Sequence, residues 1–266
     1  MYRRIAIITG ASSGIGKAFI ELLARDNGEL FNGSFDEIWA VARREDALNE
    51  LAASVEGVKI VPVIADLSDI SGIKIIEDKL KSEEPQTGLL INSAGMGIKG
   101  TVMEKSGSSI SDTISLNCSA LSLLTKAVVP FMKSENGKPG IINIASSAGF
   151  FPQPNFAVYA ASKSYVISFS RAMSYELKPL GISVTTVCPG PVRTDFQRRA
   201  TEGREEDFTD WRKNFVADPV KLAVRSLKAS RKGKRMLVYP FSQKLLHLAS
   251  KILPVSWILC FSGNLK

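Results

Sequence analysis

Histidine and cysteine, which commonly build metal sites and disulfides, are scarce in this chain of 266 residues. His247 is the only histidine, which leaves little support for histidine-based triads or multi-histidine zinc sites, and we expect no metal site. Cys118, Cys188 and Cys260 are odd in number and widely separated, without a Cys-x-x-Cys pair. This usage argues against a disulfide scaffold and is typical of a reducing compartment.

The chain also lacks internal repeats, low-complexity tracts and any candidate interdomain linker. Its length fits one α/β domain with a large core. The first apolar run begins at about residue 4, which leaves no room for a signal peptide, so we expect a cytoplasmic protein. No segment resembles a nucleic-acid-binding module, so nucleic acid is not an expected partner.

Seven short apolar runs alternate with stretches of helical spacing. This alternation predicts the α/β class: a single-domain doubly wound (Rossmann-type) sheet of about seven parallel strands with helices on both faces. The predicted strands are Ile5–Ile8, Ile38–Ala42, Lys59–Ile64, Leu89–Asn92, Gly140–Ala145, Ser183–Cys188 and Met236–Tyr239.

A glycine-rich segment joins the first predicted strand to a stretch of helical spacing. This context is typical of a dinucleotide-binding loop, where a pyrophosphate lies at the helix N-terminus. Gly10 and Gly14 are separated by three residues, and Gly16 follows, so the segment is not a Gly-x-Gly-x-x-Gly motif. Ala11 and Ala18 stand where a Walker A loop needs glycine and Ser or Thr. The segment therefore predicts a dinucleotide site of a different pattern.

Tyr159 and Lys163 are four residues apart, which places them on one face if the segment is helical. Free tyrosine titrates near pH 10, and a neighbouring positive charge lowers such a pKa. The pair therefore indicates a tyrosine that exchanges a proton with a carbonyl or alcohol oxygen while hydride moves at the adjacent carbon.

The end of the second predicted strand bears on the choice of cofactor. An NAD-preferring fold places Asp or Glu there to accept hydrogen bonds from the ribose 2′-hydroxyl. This chain has Ala42, followed by Arg43 and Arg44, and a guanidinium pairs with a 2′-phosphate. We therefore expect NADP(H) to be preferred over NAD(H).

These features and later motifs resemble the classical short-chain dehydrogenase/reductase family over roughly residues 3 to 240. Thr9–Gly16 resembles its cofactor loop. Ile91–Gly95 resembles its Asn-Asn-Ala-Gly motif, with Ser93 replacing the second asparagine. Pro189–Thr194 resembles the turn whose later residues hold the nicotinamide.

The resemblance implies a catalytic set of Asn117, Ser146, Tyr159 and Lys163. Ser146 lies thirteen residues before Tyr159, with Ser147 as the less favoured neighbour. In this family pattern Ser146 donates a hydrogen bond to the substrate oxygen, and Tyr159 is the general acid in reduction or base in oxidation. Lys163 holds the nicotinamide ribose and lowers the pKa of Tyr159. Asn117 holds a water that connects Lys163 to solvent.

The same resemblance implies a set of cofactor contacts. Arg43 matches the family position associated with NADP, and Asp66 matches the position beside the adenine ring. The implied contacts are Gly10, Ser12, Ser13, Gly14, Ile15, Gly16, Arg43, Arg44, Asp66, Leu67, Asn92, Ala94, Gly95, Tyr159, Lys163, Pro189, Gly190, Val192 and Thr194.

Residues 1–240 are thus expected to form the catalytic part, with a substrate lid at about 194–218. The lid sequence contains aromatic side chains that suit an apolar cleft and arginines that suit an acidic substrate, although an ordinary lid helix with a solvated charged face is favoured. The aromatic residues are Phe196, Phe208, Trp211 and Phe215, and the arginines are Arg198, Arg199 and Arg204.

Residues 241–266 form an apolar, basic tail. From Pro219 onward the sequence holds ten Lys or Arg residues and no Asp or Glu. Leu245, Leu248, Ala249 and Ile252 have amphipathic helical spacing. Three alternatives remain: packing on the protein's own core or over the cleft, a subunit contact, or an interfacial membrane helix. The fatty-acid-synthesis ketoreductases of the family lack such a tail, which makes that activity less favoured.

The sequence therefore predicts an NADP(H)-dependent oxidoreductase that interconverts a ketone or aldehyde and an alcohol. One alternative is a membrane-associated lipid or steroid reductase of the same family, whose tail makes a peripheral membrane contact. A non-catalytic cofactor-sensing protein is a weaker alternative. The helices around Ser111–Met132 and Tyr159–Lys178 match those that pair subunits in relatives, so a homodimer or homotetramer is expected.

Overall fold

The structure, a computed structural model, describes residues 3–26, 28–134, 137–201, 216–257 and 259. Seven strands form one parallel sheet in the order β3-β2-β1-β4-β5-β6-β7. The strands are β1 Arg4–Thr9, β2 Glu37–Ala42, β3 Lys59–Ile64, β4 Gln86–Asn92, β5 Gly140–Ile144, β6 Ser183–Pro189 and β7 Met236–Tyr239. All seven predicted strands are present, and the predicted fold class is confirmed.

Helices cover both faces of the sheet. They are α1 Gly14–Arg25, α2 Glu45–Ser54, α3 Ile70–Glu83, α4 Gly107–Ile114, α5 Leu121–Val128, α6 Ala157–Glu176, α7 Phe196–Ala200, α8 Pro219–Arg231 and α9 Phe241–Ile252. A π-helical segment, Ser115–Ala120, joins α4 to α5. Asp69 and Asp218 cap α3 and α8, because each carboxylate accepts a hydrogen bond from a backbone N–H of the first turn.

Two apolar cores lie on opposite faces of the sheet. One packs Phe19 and Leu23 of α1 and Leu227 of α8 against the strands, and the other packs Leu80 of α3 and Leu124 of α5. Since the central strands are buried on both faces, their sequences are continuous apolar runs, not alternating patterns. This explains why the strands were predictable.

The helical run Gly107–Phe131 is the one candidate membrane span among the described residues. It has 25 residues, and its most apolar stretch has a mean hydropathy of 1.4. Leu121, Leu124 and Val128 of this run are buried in the protein core. Length and composition alone are weak evidence for a span, because a core helix has the same properties.

Candidate active site

A cleft of about 870 Å³ opens at the carboxyl ends of the strands. β1 lies beside β4, so the strand order reverses direction there, which is where doubly wound sheets bind their ligands. Most of the predicted cofactor contacts line this cleft. They are Gly10, Ser12, Ser13, Gly14, Ile15, Arg43, Arg44, Asp66, Leu67, Ala94, Gly95, Tyr159, Lys163, Pro189, Gly190, Val192 and Thr194.

The loop between β1 and α1 forms one wall of the cleft. Gly14 has φ of +57°, and a Cβ atom there would lie 2.9 Å from Cγ2 of Thr194. An L side chain is therefore disfavoured both by the backbone conformation and by the turn after β6. The loop leaves its backbone free for a ligand to approach at the α1 N-terminus, which suits a pyrophosphate.

Two predicted cofactor residues lie behind the cleft instead of in its wall. Gly16 packs under the loop, where a Cβ atom would lie 2.4 Å from the carbonyl oxygen of Gly10. Asn92 is buried, and its Nδ2 donates to Oδ1 of Asn143 at 2.8 Å. Asn143 in turn donates to Oγ of Ser170 at 2.9 Å, which links β4, β5 and α6. Both residues therefore support the site from outside the cleft.

Thr9, at the end of β1, joins the two loops that face the cleft. Its Oγ1 accepts hydrogen bonds from the backbone N–H groups of Ser93 and Ala94 at 3.0 and 2.9 Å. The sequence analysis assigned no role to Thr9 beyond its place in the loop motif. The sequence carries no signal for this bridge, because it depends on β1 and β4 becoming neighbours in the sheet.

Four arginines line the end of the cleft that lies beside β2. Nη2 of Arg44 donates to the carbonyl oxygen and the hydroxyl of Ser12 at 3.0 and 3.1 Å. Nη1 of Arg43 lies 3.5 Å from Oδ2 of Asp66. Arg198 and Arg199 of α7 reach the same cleft. Burial lowers the pKa of Arg199, and the positive charges of Arg44, Arg198 and Arg43 act in the same direction, against Asp195.

Ser146, Tyr159 and Lys163 converge at the opposite end. Ser146, just after β5, forms a hydrogen bond with Tyr159. Nζ of Lys163 donates to the carbonyl oxygen of Ile144 at 2.9 Å and lies 5.6 Å from the centroid of the Tyr159 ring. Both side chains are carried by α6 and are buried. Gly97 permits the close approach of the loop after β4, since a Cβ atom there would lie 2.4 Å from Cδ2 of Tyr159.

Burial shifts the pKa values of both Tyr159 and Lys163. Burial raises the pKa of Tyr159 to about 12, while the hydrogen bond with Ser146 acts in the opposite direction. Burial lowers the pKa of Lys163 to about 8. Desolvation of the phenol is the largest effect on the pKa of Tyr159, and the lowering of this pKa by Lys163 stays a prediction. At neutral pH, Tyr159 is a protonated phenol.

Asn117 is held in the π-helical segment, a conformation that is frequent at functional sites. Its Oδ1 accepts from the N–H of Met96 at 2.9 Å, and its Nδ2 donates to the carbonyl oxygen of Met96 at 2.8 Å. Nδ2 also donates to Oγ of Ser162 at 2.9 Å. The side-chain amide thus holds the loop after β4 beside Lys163, and the predicted contact with a water stays a prediction.

Apolar side chains surround the reaction end of the cleft. The Phe156 ring stacks on Tyr159 with centroids 4.3 Å apart, and the Phe196 ring is tilted against it at 5.4 Å. Gln243 and Leu246 reach the cleft from α9, so the first part of the tail packs over it. The sequence analysis gave Phe156, Gln243 and Leu246 no role, since their proximity to Tyr159 depends on long-range folding.

The predicted lid is described at its two ends only, by residues 194–201 and 216–218. Phe196, Arg198 and Arg199 lie in the first of these and line the cleft. The other residues that were predicted to act in the lid, Arg204, Phe208, Trp211 and Phe215, lie outside the described residues.

The family model of the short chain dehydrogenases matches residues 4–205. This chain belongs to the short-chain dehydrogenase/reductase family. Like other members, it is an oxidoreductase that uses a nicotinamide cofactor and acts on CH–OH groups or the corresponding carbonyls. The resemblance stated from the motifs is confirmed.

Two curated relatives and one solved structure show the range of this similarity. The chain is 31% identical over 200 residues to a 3-oxoacyl-acyl-carrier-protein reductase of Escherichia coli K12, covering 75% of this chain and 78% of the relative. It is 30% identical over 246 residues to a 3-ketodihydrosphingosine reductase of Bacteroides thetaiotaomicron, covering 90% and 80%. A short-chain dehydrogenase from Sphingobium yanoikuyae, solved with NADPH, has a TM-score of 0.78 and 29% identity, covering 99% and 96%.

Proposed function

We propose that this enzyme is an NADP(H)-dependent carbonyl reductase in which Tyr159 is the general acid. The observation that carries the proposal is the buried phenol beside Ser146 at the end of a cleft whose other end holds four arginines. Because its pKa is about 12, Tyr159 keeps its proton at neutral pH and has one to give. A protonated phenol is the form that a general acid needs in the reduction of a carbonyl.

The roles of the neighbouring side chains follow from their positions. The hydroxyl of Ser146 holds the carbonyl oxygen of the substrate against Tyr159. Lys163, fixed by the carbonyl oxygen of Ile144, places a positive charge behind the phenol and toward the ribose of the cofactor. Asn117 is a positioning residue that orders the loop at Met96. The bound nicotinamide supplies the hydride.

The arginines support a preference for NADP(H). The cleft has room for a dinucleotide, and Arg43 and Arg44 follow β2 where an NAD-preferring fold carries a carboxylate. Arg43 would bind the 2′-phosphate, with Asp66 beside the adenine. Arg198 and Arg199 add positive charge from the opposite side, so a dianionic phosphate relieves the repulsion among these groups.

Fluorescence titration with NADPH and NADH tests the cofactor proposal. Arg43→Ala is expected to weaken NADPH binding by about 10- to 100-fold, the effect of losing one or two charge-assisted hydrogen bonds, and to leave NADH binding unchanged. Arg25→Ala, at the far end of α1, is the matched control and is expected to behave as wild type. Equal or tighter binding of NADH by the wild type would contradict the preference. NADPH binding without turnover of any carbonyl compound would favour the cofactor-sensing alternative.

The reaction end of the cleft supports an apolar ketone or aldehyde as substrate. Phe156, Phe196 and Leu246 present aromatic and aliphatic surface beside Tyr159, while Gln243 supplies one polar group. The Bacteroides relative is named for the reduction of a lipid ketone, which agrees with such a lining. Lipid or steroid ketones are therefore the first class to assay, ahead of small polar ketones.

We also propose that two or four chains assemble through α4, α5 and α6, as family members generally do. Ile114, Leu123 and Tyr165 are large apolar or aromatic side chains that these helices leave exposed. Tyr165 and Ser122 form a hydrogen bond at 2.8 Å that joins α5 to α6 within this surface. The mass in sedimentation velocity checks the proposal, and a monomer at assay concentrations would contradict it.

A further inference from the structure

The helix α9 has two faces with different surroundings. Its inner face lies on the protein: Gln243 and Leu246 line the cleft, and the His247 ring lies 4.3 Å from that of Phe150. Its outer face carries Phe241, Leu245, Leu248 and Ile252, which are between 54% and 70% exposed. The spacing of four, three and four residues places these four side chains in one narrow stripe. The stripe is thus apolar surface that the described part of the chain leaves uncovered.

Positive charge flanks this stripe. Lys244 and Lys251 are seven residues apart and are both exposed, so they lie along the same edge of the helix. Nζ of Lys244 lies 5.6 Å from the centroid of the Phe241 ring. The sequence from Pro219 onward contains no Asp or Glu to balance these charges.

The charges beside the stripe distinguish between two possible binding partners, a second copy of the chain and a lipid bilayer. A second copy that met this face about a two-fold axis would bring Lys244 and Lys251 against the same lysines, with no carboxylate of the segment to pair with them. A bilayer that contains anionic lipid offers acyl chains to the stripe and negative headgroups to the lysines at the same time. The surface therefore complements an anionic membrane better than it complements itself.

We propose that α9 docks this enzyme on the surface of an anionic lipid bilayer. Phe241, Leu245, Leu248 and Ile252 enter the boundary between headgroups and acyl chains, and Lys244 and Lys251 reach the headgroups. The helix lies in the plane of the interface and does not span the bilayer. Since its opposite face lines the cleft, the docked enzyme holds that cleft next to the lipid surface.

Co-sedimentation of the purified full-length chain with vesicles tests this proposal. Vesicles of phosphatidylcholine are compared with vesicles that contain about one-third phosphatidylglycerol. The wild type is expected to pellet with the anionic vesicles and to dissociate as salt is raised to about 0.5 M, because the lysine contribution is screened. Ile252→Glu is expected to weaken vesicle binding about tenfold or more. It removes apolar surface that enters the bilayer on docking, and it adds a negative charge.

Ile70→Glu is the matched control. Ile70 is 74% exposed and Ile252 is 70% exposed, but Ile70 begins α3, which packs against the sheet with Leu124 of α5 and is not part of α9. This variant is expected to pellet as the wild type does. NADPH titration of all three proteins tests whether they are folded. It also separates the two proposals, because a chain that binds NADPH but not vesicles contradicts only the docking proposal.

Three results would overturn the proposal. One is a wild-type chain that stays in the supernatant with both kinds of vesicle, and another is an Ile252→Glu variant that pellets as well as the wild type. The third is a wild-type chain that binds both kinds of vesicle equally well, which would remove the role of the lysines. If the wild type does not bind vesicles but has a larger mass in sedimentation velocity than the Ile252→Glu variant, the stripe is a subunit contact.

Discussion

Tyr159 and Lys163 share one face of α6, but burial moves their pKa values in opposite directions, because it opposes the anionic form of the phenol and the cationic form of the amine. The result is a phenol that keeps its proton and an ammonium that loses one near pH 8. A proton donor is therefore present throughout the neutral range. The pKa of the Lys163 ammonium, in contrast, lies close to physiological pH.

The pKa of Lys163 makes stability depend on pH. Its pKa falls from 10.5 to about 8 on folding, so between these values the unfolded chain holds a proton that the folded chain has lost. The free energy of unfolding therefore rises with pH as the folded lysine loses its proton, by about 1–2 kcal/mol between about pH 7 and about pH 9. Urea unfolding at a series of pH values measures this rise.

Two variants isolate the contribution of Lys163. Lys163→Met removes the titrating group and is expected to lack the rise, while Lys126→Met, on the exposed side of α5, is expected to keep it. An identical pH slope for the wild type and Lys163→Met would show that burial does not shift this lysine as described.

At the scale of elements, the site depends on how three connections meet: the loop before α1, the loop after β4 and the turn after β6. Thr9 bonds the first to the second, and Gly14 lies against Thr194 of the third. Because these connections contact one another directly, a change in one is expected to alter both the stability of the fold and the affinity for the cofactor.

Gly14→Ala tests the role of these contacts. The added methyl group would meet Thr194 in a left-handed backbone conformation, so we expect a loss of about 1–2 kcal/mol of stability and weaker NADPH binding. Gly107→Ala is the control: it begins α4, and a Cβ atom there meets nothing within 4 Å, so it is expected to be neutral or slightly stabilising. Urea midpoints and NADPH titrations compare the two, and equal effects would argue against this role.

At the scale of the whole molecule, the sheet was predictable because parallel strands that are buried on both faces have continuous apolar sequences. The candidate catalytic residues were predicted from the order of the motifs, and their roles stay predictions. The contacts of Thr9, Asn92 and Gly97 were not predictable, since each depends on which strand ends or loops become neighbours. The position of α9 was left open among three alternatives, because amphipathic spacing shows that a helix has two faces but not what covers each.

The cleft has a basic end that suits a phosphate, and an opposite end beneath α9 where apolar side chains surround a proton donor. This order along one cleft is the central claim, and deuteride transfer tests it most directly. Wild-type enzyme is mixed with NADPH deuterated at C4 and an apolar ketone, and the label is followed by mass spectrometry. The account predicts deuterium at the carbinol carbon, a rate lower by about 10²–10⁴-fold in Tyr159→Phe with NADPH binding retained, and a wild-type rate in Tyr165→Phe. Absence of label transfer across a panel of apolar and polar ketones, or an undiminished rate in Tyr159→Phe, would contradict it.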